Sequence, residues 1–492
     1  MNLKMPATLK CLRVSCLLLL VLGALFVGLA SAAPVSVLNG TQFTTNTGTP
    51  IQAHGGGVIK VGPYYYWFGE NRNPNSTFFA VSCYRSTDLK NWEFRNNVLT
   101  ANSSPELDPA NIERPKVVYN ASTGRYVMWM HWENGINYGE ARAAVASSLT
   151  VDGDYTYHGS FRPLADTGVI DHGKPGYMSR DCTLFVDTDG TGYFISAANE
   201  NADLHVYRLT NDYLEIESLV IKLWVGQKRE APAMFKRNGF YFLLTSGATG
   251  WSPNQQKYAY SSNIASGWSS LTNIGDAVCF YSQTTYVLPI QGSSGTSFLY
   301  LGDRWAGAWG GRVNDSTYVW LPLTFTSNTS LSMSWRNTTT IDTASGTLGG
   351  ANYVFKLRND NSGKVADVPG FSTENGTRIM QYTDNGGANQ KWRLQYDGAG
   401  YFKIVNVYSN KLMDVVSGST ADGAEIIQWT DNGGANQRWL PIDIGGGLYV
   451  IGSKLNGKLL DIEGAMLANG ANLVQMTESG GNSQKWALVP TN

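Results

Sequence analysis

The sequence predicts an all-β protein, a five-bladed β-propeller followed by a β-trefoil. Three observations carry that expectation: abundant aromatic residues, a C-terminal stretch that repeats without a gap, and five strand–turn–strand segments across the N-terminal part. Aromatic side chains favour pleated, half-buried surfaces, whereas the helix formers Ala, Glu, Lys and Leu are used only modestly.

Taken in chain order, residues 1–32 read as a secretory leader. Lys4, Lys10 and Arg13 precede the apolar run CLLLLVLGALFVGLA, and Ala30, Ser31 and Ala32 have the small-residue spacing of a cleavage site. The mature chain is therefore expected to be secreted. No later apolar stretch approaches the ~18 residues that span a bilayer. Lys and Arg number 37 against 38 Asp and Glu, a net charge of −1, so neither a membrane nor nucleic acid is an implied partner. Cys11 and Cys16 belong to the leader, leaving Cys83, Cys182 and Cys279; at most one disulfide can form, and stability has to come from core burial. Asn-x-Ser/Thr sequons at Asn39, Asn75, Asn102, Asn120, Asn314, Asn328, Asn337 and Asn375 point to a glycosylated protein. A monomer is expected, with no cofactor or metal ion.

Residues 33–342 hold the segments HGGGVIKVGPYYYWFGE, ERPKVVYNASTGRYVMWMHW, DCTLFVDTDGTGYFISAA, EAPAMFKRNGFYFLLTSG and QTTYVLPIQGSSGTSFLYLGDRW. Each is an apolar strand, a Gly-containing turn and an aromatic-rich strand, and the period fits propeller blades whose first strands line a central axis. The first position of the five inner strands is filled by His54, Glu113, Asp181, Glu230 and Gln283, at spacings of 59, 68, 49 and 53 residues. All five are polar, and the topology gathers them at one mouth of the axial channel.

Burying an ionised carboxylate unpaired is expensive, so a carboxylate ring at a cleft implies chemistry. Two carboxylates across a sugar-sized opening are the minimum equipment for glycoside hydrolysis. Glu230, in an apolar strand beside Pro232, is expected to be the general acid; Asp181, on the adjacent inner strand, tunes and orients it. Glu70, Tyr138, Asn199 and Asn201 fall where blade ends and loops overhang the mouth, and are expected to bind sugar hydroxyls. Trp251, Trp305 and Trp309 are candidates for stacking on a sugar face.

Residues 343–352 are Gly-rich and read as a short linker that keeps the second domain close. From residue 353 onward three copies align without a gap: Asp367, Asp414 and Asp461 are 47 residues apart, as are Trp392, Trp439 and Trp486. Each copy ends in Gln-x-Trp, and such units bury their apolar faces only around a shared threefold axis. Residues 353–490 resemble the ricin-type β-trefoil lectins, carbohydrate-binding module family 13. That resemblance implies sugar sites at Asp367, Tyr382 and Asn389 and at Asp414, Trp429 and Asn436. In the third copy Asp461 remains, but Met476 and Ser483 replace the aromatic and the amide, so two working sites and one degraded site are expected.

Asp181 before CTLF, Glu230 in REAPAM and the stretch RSTDLKNWE make residues 45–340 similar to glycoside hydrolase family 43. The resemblance implies an inverting enzyme with a Glu acid, an Asp modulator and an Asp base on the first blade. His54 stands where that base belongs, and QAHGGG, YYWFGE, ERPKV and YSQTT together resemble the exo-β-1,3-galactanase subgroup, which lacks it. The subgroup implies that Gln283, with Glu113 nearby, holds the attacking water. An amide is a poor proton acceptor. Three arrangements stay open: Gln283 positions water for a carboxylate such as Glu113, its imidic tautomer relays the proton, or His54 is the base. The expected function is exo-hydrolysis of the β-1,3-galactan of arabinogalactan. The competing expectations are an α-L-arabinofuranosidase or β-xylosidase on the same scaffold, and a non-catalytic secreted lectin.

Overall fold

The structure, a computed structural model, describes residues 33–352 and 354–491. The leader assigned to residues 1–32 lies outside the described residues. Residues 54–333 form five four-stranded antiparallel sheets, each a meander in chain order. Their first strands are His54–Val61, Asn111–Asn120, Cys182–Val186, Arg229–Arg237 and Gln283–Gly292. Every first hairpin turns at a glycine with positive φ, namely Gly62, Gly124, Gly190, Gly239 and Gly295, a conformation that a side chain would strain.

Five apolar wedges join the sheets into a propeller-like ring. Phe68 and Val81 meet Met128 and Ala144; Trp129 meets Leu184 and Phe194; Ile195 meets Met234 and Leu243; Phe235 and Phe242 meet Val287 and Phe298. Tyr65 and Trp67 of the first sheet pack on Leu288, Leu299 and Trp320 of the last, which closes the ring. The second strands of the middle three sheets, Arg125–Glu133, Gly192–Ala198 and Phe240–Gly247, are covered on both faces and read as near-continuous buried runs.

The Gly-rich stretch read as a linker is ordered. Thr347–Ala351 pairs antiparallel with Thr338–Asp342, which pairs in turn with Val35–Leu38. The glycines are there for close approach: a Cβ on Gly346 would lie 2.4 Å from the backbone nitrogen of Gly292.

The C-terminal domain has the threefold pattern its repeat predicts. Trp392, Trp439 and Trp486 are fully buried, and their indole N–H groups donate to the carbonyls of Ala366, Met413 and Leu460 at 3.1, 3.0 and 3.0 Å. Cys83, Cys182 and Cys279 are all buried free thiols.

Candidate active site

Four of the five inner strands open with a β-bulge, between His54 and Gly57, Glu113 and Lys116, Glu230 and Ala233, and Thr284 and Tyr286. An inserted residue breaks the alternation of a strand and re-aims its side chains. Gly55, Arg114 and Ala231 sit in these bulges with φ of 61°, 55° and 52°. Beneath them the buried Lys116 ammonium bonds the carbonyls of Gly55 at 2.6 Å and Arg114 at 3.4 Å, fastening the first bulge to the second.

The bulges floor a cavity of about 180 Å³ at the ring centre. That is below the roughly 300–1,000 Å³ of sites for drug-sized ligands, a size that suits one sugar ring rather than a chain. It brings together Glu70, Glu113, Tyr138, Asp181, Asn201, Glu230 and Gln283, with Trp251 and Trp305 on one wall. Arg72, Arg114, His131 and Arg180 also line it.

Three expected residues lie elsewhere. The bulge turns His54 outward, where it is fully buried: Nδ1 faces Asp303 at 3.5 Å, Nε2 faces Gln52 at 3.0 Å, and the ring stacks on Tyr318. Its place is taken by Glu70, its partner across the strand pair. A Cβ on Gly55 would come within 2.6 Å of Glu70 Oε1, so that glycine gives the carboxylate its room. Asn199 bonds Asp203 at 3.2 Å rather than facing the cavity. Trp309 abuts Gly400 of the second domain.

Glu230 is nine-tenths enclosed, and its pKa is pushed up to about 8, first by burial and then by the Asp181 charge, against the pull of Arg114. It is therefore neutral at pH 7 and able to donate a proton. Asn201 Nδ2 holds its Oε2 at 3.0 Å and Gln283 Nε2 its Oε1 at 2.9 Å. Asp181 pairs with Arg114 at 3.1 Å.

A second group of charges lines the same pocket. Glu113 accepts from Arg72 at 2.8 Å, Tyr138 at 2.5 Å and His131 at 3.1 Å. Burial opposes ionisation there, but the His131 hydrogen bond and the Arg72 charge overcome it and hold Glu113 well below the usual carboxylate range. His131 is clamped from its other nitrogen by buried Glu133 at 3.0 Å, and the two acids raise it to about 9 despite its burial. Glu70 shares Arg72, which donates twice to its Oε2 at 2.8 and 2.6 Å; here burial dominates and raises the pKa. Ligand atoms of Glu113, His131 and Asp181 lie within 4.8 Å of one another, close enough for a cation. Both His131 nitrogens are, however, already spent on carboxylates.

Gln283 has its amide orientation dictated by its neighbours. Arg114 Nη2 and Trp305 Nε1 are donors only, and both point at Oε1, the latter at 2.7 Å. The amide nitrogen therefore faces Glu230 Oε1 and Ser246 Oγ, at 2.9 and 2.8 Å. An imidic tautomer needs a proton on the oxygen that these two donors already cap. The donors on Oε1 disfavour that tautomer, and the amide N–H groups suit orienting a water once one of them is released from Glu230 or Ser246.

In the trefoil, the residues expected to bind sugar are arranged alike in the first two copies and differently in the third. Asp367 is held by Asn389 at 3.2 Å and Gln390 at 2.7 Å, and Asp414 by Asn436 at 2.9 Å and Gln437 at 2.8 Å. Beside them Tyr382 and Trp429 are 39% and 38% exposed, rings open to a sugar face. In the third copy Asp461 accepts from the backbone of its own neighbour, Ile462, at 2.6 Å; Gln484 keeps the bond to the Thr477 carbonyl that Gln390 and Gln437 make to Thr383 and Thr430, without their second bond to the aspartate. Replacing Trp429 by alanine is expected to weaken binding to immobilised galactan severalfold, and the double change with Tyr382→Ala to abolish it. Met476→Ala should leave retention on an affinity gel unchanged.

A sugar-sized polar cavity with a neutral carboxylic acid, ionised neighbours and aromatic walls, joined to a sugar-binding trefoil, defines a carbohydrate-active hydrolase. The comparisons give the same class. Residues 52–277 match the family Glycosyl hydrolases family 43, and residues 335–429, 388–476 and 435–492 match Ricin-type beta-trefoil lectin domain-like. The chain is similar to the crystal structure of 1,3Gal43A, an exo-β-1,3-galactanase from Clostridium thermocellum, with 58% identity over 93% of this chain and 100% of that one, and a TM-score of 0.64. An exo-β-1,3-galactanase variant from Phanerochaete chrysosporium with β-1,3-galactotriose is 28% identical over 89% of this chain and 99% of that one, with a TM-score of 0.61. A family 43 β-1,3-galactosidase, BT3683, with galactodeoxynojirimycin is 34% identical over 61% of this chain and 99% of that one, TM-score 0.57. No curated protein matches the chain. The chain belongs to glycosyl hydrolase family 43, is a glycoside hydrolase, and carries a ricin-type carbohydrate-binding domain.

Proposed function

We propose that this glycoside hydrolase is a secreted, inverting exo-β-1,3-galactanase that removes galactose from the β-1,3-galactan backbone of arabinogalactan in plant cell walls, acting as a monomer. The five sheets are the blades of a five-bladed propeller, with the pocket at one mouth of its axis. The small cavity at the hub, lined both by Glu230 with its raised pKa and by the Glu70–Arg72–Glu113 group, carries the reading. The similarity to exo-β-1,3-galactanases supplies the sugar and the linkage.

In this mechanism Glu230 protonates the glycosidic oxygen, which exchanges with the Gln283 amide as the partner of the acid. The freed amide N–H then holds a water by its oxygen. Asp181, fixed by Arg114, keeps Glu230 protonated until the bond breaks. The Glu70–Glu113 pair accepts the water's proton. Glu70 is the stronger acceptor because burial raises it, whereas three donors hold Glu113 low. The trefoil sites act by effective concentration, keeping the pocket near chain ends. If the chain is glycosylated, the exposed sequons Asn75, Asn102, Asn328 and Asn375 carry the glycans. Asn39 and Asn120 are buried, with Nδ2 donating to Arg336 and Asn211 carbonyls at 3.0 and 2.8 Å.

Incubation with β-1,3-galactan and, separately, arabinoxylan, followed by proton NMR from the first minute, tests substrate and stereochemistry together. Inversion of a β-linkage yields α-galactose first, from galactan only. Initial β-galactose, or pentose release from arabinoxylan alone, contradicts the reading.

A further inference from the structure

A cavity of about 590 Å³, larger than the hub pocket, lies in a cleft between the last sheet and the trefoil. Its propeller side carries Phe280, Tyr281 and Arg304, and its trefoil side Arg393, Gln395 and Tyr396. Arg304 is the notable feature. It is 1% exposed, among the largest fully buried side chains, and has no carboxylate in salt-bridge range among the described residues. Nε donates to the Phe280 carbonyl at 2.9 Å, while Nη1 is buried without a partner. The guanidinium is sandwiched between Tyr396 at 3.5 Å and Trp335 at 4.8 Å from the ring centroids. Rings stabilise the cation but do not neutralise it, and burial lowers its pKa to about 10.

The nearby acids are occupied. Asp276 caps the backbone N–H groups of Val278 and Phe280 at 3.1 and 2.7 Å, and Asp397 faces Arg438 at 3.5 Å. A second guanidinium, exposed Arg393, stands at the lip and bonds Asn410 at 2.9 Å. The floor is strained as well: Cys279, Phe280 and Tyr281 run consecutively at φ of 47°, 55° and 62°, a left-handed stretch that side chains disfavour. A cleft with two cations, aromatic walls and amides suits an anion on a polyhydroxylated frame.

We propose that this cleft is a second saccharide site, separate from the hub pocket and the trefoil sites, that takes a carboxylate-bearing sugar, with Arg304 and Arg393 as partners of the uronate. Its residues lie next to hub residues in the chain: Arg304 precedes Trp305, and Tyr281 is two residues before Gln283. Binding needs no turnover, so the inference stands or falls independently of the galactanase reading.

The test is titration of the full chain, in low salt and saturating galactose to fill the galactose sites, with methyl β-D-glucuronide, methyl β-D-glucoside and acetate, followed by ligand-observed NMR. The glucuronide and glucoside differ only in carrying a carboxylate or a hydroxymethyl group. A glucuronide bound at least tenfold more tightly than either control, with the advantage lost in Arg393→Glu and in Arg304→Gln, is the expected result. Arg393 is exposed, so its variant tests the site without disturbing the domain contact. Equal binding of the two glycosides, acetate matching the glucuronide, or a glucuronide advantage that survives Arg393→Glu would overturn the proposal.

Discussion

Replacing Glu230 by glutamine is expected to lower kcat on β-1,3-galactan by about 10³-fold while leaving trefoil binding intact, since a positioned general acid contributes roughly 10²–10⁴ in rate. The variant keeps the shape of the carboxyl group and removes its acidic proton, at the cost of one hydrogen bond, because its amide nitrogen cannot accept from Asn201 or Gln283. Activity should return in part on an aryl galactoside whose leaving group needs no protonation. Stability gives a second readout. Below pH 4.5 Glu230 is protonated in both folded and unfolded chains and costs nothing. As pH rises towards about 8 the fold must retain a proton that the unfolded chain releases, so wild-type stability falls across that window. At about 1.4 kcal/mol per pH unit the loss is on the order of a few kcal/mol. The glutamine variant has no proton to retain. Its melting temperature relative to the wild type's should therefore rise from pH 5 to pH 8.

The second large effect is expected at Arg114, which ties Asp181, Gln283 and the Thr284 carbonyl together. Arg114→Met should cost about 10² or more in kcat/KM, the scale of misplacing a catalytic group by an ångström. It should also move the alkaline limb of the pH–rate profile upward, because the Arg114 charge is what restrains the raised pKa of Glu230. Removing a buried cation destabilises the fold as well, by about 3–5 kcal/mol. Destabilisation alone would not move the pH limb, so the profile separates the two effects. Arg114→Lys keeps the charge but cannot bridge three partners, and should fall between wild type and the methionine variant.

Arg114 was hidden in the sequence by a rule that holds for regular strands. Alternation sends the residue after Glu113 to the opposite face, whereas the bulge turns both residues into the pocket. The repeat did contain a signal: Glu113-Arg114-Pro115 and Glu230-Ala231-Pro232 are the same Glu-x-Pro in successive bulges, one slot filled by a guanidinium and the other by a methyl. His54 failed for the related reason that Gly55 is left-handed, and Glu70 stands in the vacated space. The trefoil was far more legible. A gap-free 47-residue period fixes which residues are equivalent, so the departure of the third copy could be read from Met476 and Ser483 alone. The apparent linker misled because glycine serves both flexible chain and close packing, and only the partner strand distinguishes them. Nothing in the spacing of Arg304 marked it as unpaired, because its surroundings come from two domains.

The central claim is that the hub pocket keeps Glu230 protonated at working pH so that it can give that proton away. Carbon-13 NMR of the glutamate side-chain carboxyls, with the Glu230→Gln spectrum subtracted, follows that one group through a pH titration. A midpoint near 8, moving downward in Asp181→Asn, is the predicted result. A midpoint close to 4.5 in the folded chain would contradict the account.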